Sequence, residues 1–143
     1  MEGLKIESVK TEEGLRYRIL HDDNLPEGVT KLDFSPLSTF QGEKIYEIAP
    51  SLGLGQSDII AQITEFFPNG IQGNYNPQPI RPARHGVGSA VLERIIEDAT
   101  KMGAKMVYAI TSTHGMDALL SKRGFVKMHE SSGPHDFYYK LIK

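Results

Sequence analysis

The sequence contains no cysteine. That absence excludes disulfides, Cys-ligated zinc, iron–sulfur clusters and a Cys nucleophile. An excess of one charge is lacking too: 16 Lys and Arg stand against 18 Asp and Glu, a net charge of −2. This balance argues against a nucleic-acid binder that works through a broad positive field. No apolar run approaches the ~18 residues needed to span a bilayer, so no membrane partner is expected. The opening MEGLKIESVKTEEG has no apolar stretch and carries acids throughout, which fits neither a signal peptide nor a transit peptide. What is present is 143 residues, 39% hydrophobic and 24% charged, about one domain by length. A chain of this size buries roughly 68% of its unfolded surface and supports a core without staples. The expectation is a single-domain cytoplasmic protein.

The chain divides into three parts. In residues 1–50, Ile6–Val9 and Leu15–Leu20 flank a Thr11–Gly14 turn and read as a hairpin. Lys31–Phe34 and Glu43–Ala49 read as further strands. In the second of these, Glu43, Ile45, Glu47 and Ala49 would share one face. In residues 51–83, Ser57–Phe67 reads as a helix capped by Ser57 or Asp58, with Ile59, Ile60, Ile63, Phe66 and Phe67 at helical spacing. Prolines 77, 79 and 82 then exclude a helix or a central strand. Residues 84–143 are regular. Gly88–Met102 predicts an amphipathic helix stopped by Gly103, with Met102 on its apolar face. Lys105–Thr111 reads as a buried strand and Thr113–Arg123 as a helix stopped by Gly124. Phe125–His129 and Asp136–Ile142 read as closing strands, with one of Tyr138 and Tyr139 in the core and the other outward. Strands in both outer thirds with helices between predict an α/β or α+β sheet protein.

Arg84-His85-Gly86-Val87-Gly88-Ser89 opens the longest predicted helix. Such a turn presents several backbone N–H groups at a helix N-terminus, and its glycines lack the Cβ atoms that would obstruct a ligand. That is an anion site, usually for phosphate. Arg84 and His85 could contact phosphate directly. Glycines kept only for a tight turn would give the same pattern. A dinucleotide fingerprint is rejected, because the residues before the turn are Pro-rich and the strand MVYAITS ends without an acid. A Walker A loop is rejected for want of Gly-Lys-Ser/Thr.

RHGVGSAVLERIIEDATKMGAKMVYAIT, then ALLSKRGFVKM, then DFYYKLIK, together resemble the GNAT superfamily of acyl-CoA-dependent N-acyltransferases, over residues 84–143. The resemblance implies an α/β (α+β) fold with a mixed, mostly antiparallel sheet of six to seven strands flanked by helices. It also implies that the backbone of Arg84, His85, Gly86, Val87, Gly88 and Ser89 grips the pyrophosphate of acetyl-CoA. The chain departs from the family at Ala83, where relatives carry Gln or Arg. The family strand before the turn, which ends in Val-x-Pro, is matched by GEKIYEIAP, with Ile48 and Pro50 at the pattern positions. Residues 51–83 are then a helical, Pro-rich insertion in a single domain. An alternative places a short strand within Ile71–Tyr75.

On that alignment Glu43 and Glu47 are the candidate general bases, facing the acyl group, and the amide near Ile48 would hold the oxyanion. Thr113 falls where relatives often contact coenzyme A, although a helix cap explains it as well. Many relatives place a Tyr acid four residues before the Gly-Phe pair, where this chain has Leu120. Ser121, Tyr108 and His114 are the possible replacements. His21, His129 and His135 do not make a metal set, and no metal is expected. The implied function is acetyl transfer from acetyl-CoA to an amine, either a small molecule or a protein lysine or N-terminus. A homodimer is left open. The alternative is a non-catalytic acyl-CoA-binding or protein-interaction module on the same scaffold.

Overall fold

The computed structural model describes residues 4–20, 26–40, 43–67, 70–71, 78–79, 86–111, 114–128 and 136–142. Lys5–Lys10 (β1) and Gly14–Leu20 (β2) form the expected antiparallel hairpin. Thr11 closes it. Its N–H donates to the Gly14 carbonyl at 2.9 Å, and its Oγ1 accepts from the Gly14 N–H at 3.0 Å. In β2, Leu15, Tyr17 and Ile19 are buried and Arg16 and Arg18 exposed, the alternation of a strand with one covered face. Pro26–Pro36 (β3) pairs antiparallel with β2 and contains the expected Lys31–Phe34.

Two expected elements exchange type. Glu43–Ile48 (α1) is a helix, framed by 3₁₀ turns at Leu37–Thr39 and Ala49–Leu52, and not a strand. Ile45 and Ala49 are buried and Ile48 half-buried, at helical spacing, while Tyr46 and Glu47 are exposed. Six residues are too few for their alternation to decide between periods of 2 and 3.6. The packing of Ile45 against Leu37, Phe40 and Ile60 decides it. The Tyr46 hydroxyl lies within hydrogen-bond reach of the Leu37 and Phe40 carbonyls, tying α1 to the turn before it.

Ile59–Phe67 (β4) is a strand and not a helix. Ile59, Ile60, Ile63, Thr64, Phe66 and Phe67 are β-branched or aromatic, which suits a strand. The adjacent residues Ile60 and Ala61 are both fully buried, as in a strand covered on both faces. The expected cap does other work: an Asp58 carboxylate oxygen accepts the Gly55 N–H at 2.7 Å, inside a turn. The helical part of the 51–83 insertion is therefore replaced by a sheet strand, and the helical segments lie before it. Gly70–Ile71 (β5) and Gln78–Pro79 (β6) form a separate two-stranded ribbon. Of the alternative strand, Ile71 lies in β5 and residues 72–75 fall outside the described residues.

The C-terminal elements follow the expectations closely. They are Val87–Lys101 (α2), Ala104–Thr111 (β7), His114–Lys122 (α3), Val126–Lys127 (β8) and Asp136–Leu141 (β9). Met102 lies past the end of α2 and is 46% exposed, contrary to its expected place on the apolar face. Gly103 (φ 83°) and Gly124 (φ 86°) stop the two helices in the left-handed region. After α3 the Phe125 N–H donates to the Leu120 carbonyl at 3.0 Å and the Gly124 N–H to the Ser121 carbonyl at 3.2 Å. Gly124→Ala is expected to cost about 1 kcal/mol, because alanine resists positive φ. Its Cβ would also stand 2.9 Å from the Lys140 ammonium, which can swing away. Urea unfolding of the variant measures this.

The strands form a seven-stranded sheet in the order β1-β2-β3-β4-β7-β9-β8. The β7–β9 and β8–β9 ladders are antiparallel. The chain passes from β4 to its sheet neighbour β7 through β5, β6 and α2. The chain divides into two compact units, residues 1–33 with 63–97, and residues 34–62 with 98–143. In the first, Val87, Val91, Leu92 and Ile95 of α2 are fully buried, and the Arg94 guanidinium donates to the Ile6 carbonyl at 3.5 Å and to Ser8 Oγ at 3.4 Å. In the second, Leu37, Phe40, Ile45, Ala49, Ile60, Met106, Tyr108 and Met128 form one core cluster. Both tyrosines of β9 are packed, against the expectation that one points outward. Tyr139 lies against this cluster, and Tyr138 is itself buried. Among the described residues no helix is long and apolar enough to cross a membrane.

Candidate functional site

The glycine turn is built as the sequence predicts where it is described. Gly86 has φ 88°, a conformation glycine adopts readily. Its carbonyl accepts the Ala90 N–H at 3.0 Å, the first helical bond of α2. Gly86 is thus the cap residue, and it has no side chain with which to cap. Helix geometry leaves the N–H groups of Val87, Gly88 and Ser89 without intrahelical partners. Val87 is buried and anchors the turn, Gly88 and Ser89 are half-buried, and Gly86 is exposed. No acid stands in the first turn of α2. A 15-residue helix therefore presents an exposed N-terminal end with a favourable field for an anion. The donor set fits a phosphate group.

The other expected site residues lie on other elements. Glu43, Glu47 and Ile48 lie on α1, in the second unit. Glu47 is exposed, and Ile48 packs against the core cluster. The strand on which their roles as bases and oxyanion donor rested does not exist. The strand that precedes the turn and neighbours β7 is β4. Its run of β-branched residues was the available signal, masked by an apolar spacing that also fits a helix. Arg84, His85 and Thr113 lie outside the described residues, as do His21, His129 and His135. Among the described residues no group of three His, Asp or Glu converges as for a metal.

The replacement acids divide in the same way. Leu120 is fully buried, so the usual Tyr position is a core position here. Ser121 is exposed on α3, and the His114 side chain lies outside those described. Tyr108 is 1% exposed, edge-on to Phe40 at 5.2 Å and stacked with Phe137 at 6.1 Å. Burial pushes its phenol up to about 12. Burial first, and then the Asp117 charge, raise Tyr138 as well. A phenol raised in the folded state supports stability below its ordinary pKa near 10 and loses that support as pH rises through 12. For Tyr108 the loss is about 2–3 kcal/mol. Urea midpoints at pH 9 and pH 12 are expected to fall further apart in the wild type than in Tyr108→Phe.

Comparison with solved structures follows this geometry. The mosquito arylalkylamine N-acetyltransferase like 5b superposes with a TM-score of 0.61 at 11% identity, over 90% of this chain and 75% of that one. Arabidopsis thaliana NAA60, in complex with acetyl-CoA, gives 0.55 at 12% identity, over 92% and 78%. FeeM, an N-acyl amino acid synthase from uncultured soil microbes, gives 0.62 at 6% identity, over 92% and 68%. The chain has the GNAT fold. No protein-family profile and no curated protein matches its sequence. Along the chain, β4 is followed by the β5–β6 ribbon, the glycine turn, α2 and β7, and the helical segments at 37–52 come between β3 and β4.

Proposed function

We propose that the protein transfers an acyl group, acetyl in the simplest case, from acyl-CoA to an amine. The observation that carries this is the glycine turn at the N-terminus of α2, with Gly86 at φ 88°, in a fold shared with a structure solved with acetyl-CoA. The pyrophosphate of coenzyme A sits on the N–H groups of Val87, Gly88 and Ser89, and the sequence adds Arg84 and His85 just before them. The amine nitrogen attacks the thioester carbonyl, a C–N bond forms, and the C–S bond breaks as the thiolate leaves. An acceptor like lysine must first lose a proton, at a cost of about 4.6 kcal/mol at pH 7. Glu43 and Glu47 are not proposed for that step, because α1 replaces the strand that aimed them. The leaving thiolate, with pKa about 8.5, departs without a positioned phenol at position 120.

The buried Leu120 also favours a second reading, a module that binds acyl-CoA without turning it over. Isothermal titration with acetyl-CoA and with free coenzyme A tests the shared premise. Micromolar binding supports it, and no binding at millimolar ligand overturns it. Release of coenzyme A thiol over a panel of primary amines then separates transfer from binding.

A further inference from the structure

In the first unit, β1 to β3 present an exposed face that carries arginine and lysine. Strand alternation puts Lys5, Glu7 and Val9 of β1 on the face of Arg16 and Arg18 of β2, opposite the buried Leu15, Tyr17 and Ile19. Lys5, Arg16 and Arg18 are exposed, and Val9 is 58% exposed. The register sets Arg16 directly against Lys31 of β3, and Arg18 against Val29 on one side and Glu7 on the other. Asp33 lies 3.9 Å from the Lys31 ammonium. On β4, the Thr64 hydroxyl donates to the Lys31 carbonyl at 3.5 Å. Phe66, two residues further along β4, is half-buried.

Like charges directly opposite across an antiparallel pair are destabilising. Asp33 offsets this opposition on the Lys31 side, and an anion at Arg16 would relieve it further. Arg16 and Arg18 stand about 7 Å apart along the strand, the spacing of alternate side chains on any extended chain. We propose that this face docks an extended acidic segment of a partner protein, with carboxylates two residues apart on Arg16 and Arg18. Each guanidinium takes a carboxylate through paired N–H donors. Val9, opposite Arg16, and Val29, opposite Arg18, offer apolar contact beside the cations. A nucleic acid suits the face less well. Glu7 and Asp33 lie within it, and the chain is net negative.

The test is fluorescence anisotropy of a labelled octapeptide alternating Glu and Val, titrated with the full chain. Saturable binding that weakens with salt, and that falls about tenfold or more in Arg16→Glu and in Arg18→Glu, is expected. Arg16→Thr should weaken binding while raising Tm by roughly 1–4 °C, a paired outcome that damage to the fold would not produce. No binding at millimolar protein, or binding indifferent to Arg18→Glu, overturns the proposal. So does a labelled oligouridylate that binds more tightly than the peptide through the same arginines.

Discussion

Gly86→Glu is expected to abolish measurable binding of acetyl-CoA. The substitution acts in two ways at one atom. It adds a carboxylate where three N–H groups and the field of α2 otherwise favour an anion. It also puts a branched backbone at φ 88°, which disturbs the direction of those N–H groups. A hydrogen bond to a charged group is worth about 1.5–3 kcal/mol, so losing two weakens binding by two orders of magnitude or more. Gly86→Ala separates the two effects. It carries the backbone cost of about 1 kcal/mol without the charge, and is expected to fall between wild type and Gly86→Glu. Circular dichroism shows whether both variants keep the fold. If folded Gly86→Glu binds acetyl-CoA as tightly as the wild type, the pyrophosphate does not sit on α2.

The legible and illegible parts of this chain differ in whether their signals are local. The hairpin of β1 and β2 is written in a Thr-to-Gly turn between alternating strands, and its hydrogen bonds involve only those residues. The ends of α2 and α3 are written in Gly103 and Gly124, both at positive φ. The described part of the glycine turn is local in the same way: Gly86 and the first turn of α2 lie where the glycine pattern places them. The two reversed elements have no such signal. Glu43–Ile48 alternates well enough to pass as a strand, and β4 is apolar at spacings that pass as a helix. What fixes them is non-local. Ile45 packs on Phe40 and Ile60, and β4 takes the central place beside β7, covered on both faces. The reading of Glu43 and Glu47 as bases depends on the strand that α1 replaces. The departure at Leu120 was legible in the sequence, and its burial supplies the reason: the position belongs to the core.

That non-local core makes Tyr108→Ala the second large effect. Tyr108 lies at the centre of the second unit's cluster, 1% exposed, with Phe40 on its edge and Phe137 on its face. Truncating a buried aromatic to alanine costs about 3–5 kcal/mol, from lost transfer energy and the cavity left behind. Domains of this size hold only about 5–15 kcal/mol in all. The variant should therefore lose about a fifth of its stability or more. Phe40 precedes α1 and loses its main aromatic partner, so the α1 segment should loosen with it. The chain has no tryptophan, and far-UV circular dichroism in urea is the suitable readout. Val9→Ala, at a residue 58% exposed, serves as the comparison and should change stability by less than about 0.5 kcal/mol. A Tyr108→Ala loss below about 1 kcal/mol would mean that the ring does not fill this core. The helical assignment of α1, which rests on the same cluster, would then fall with it.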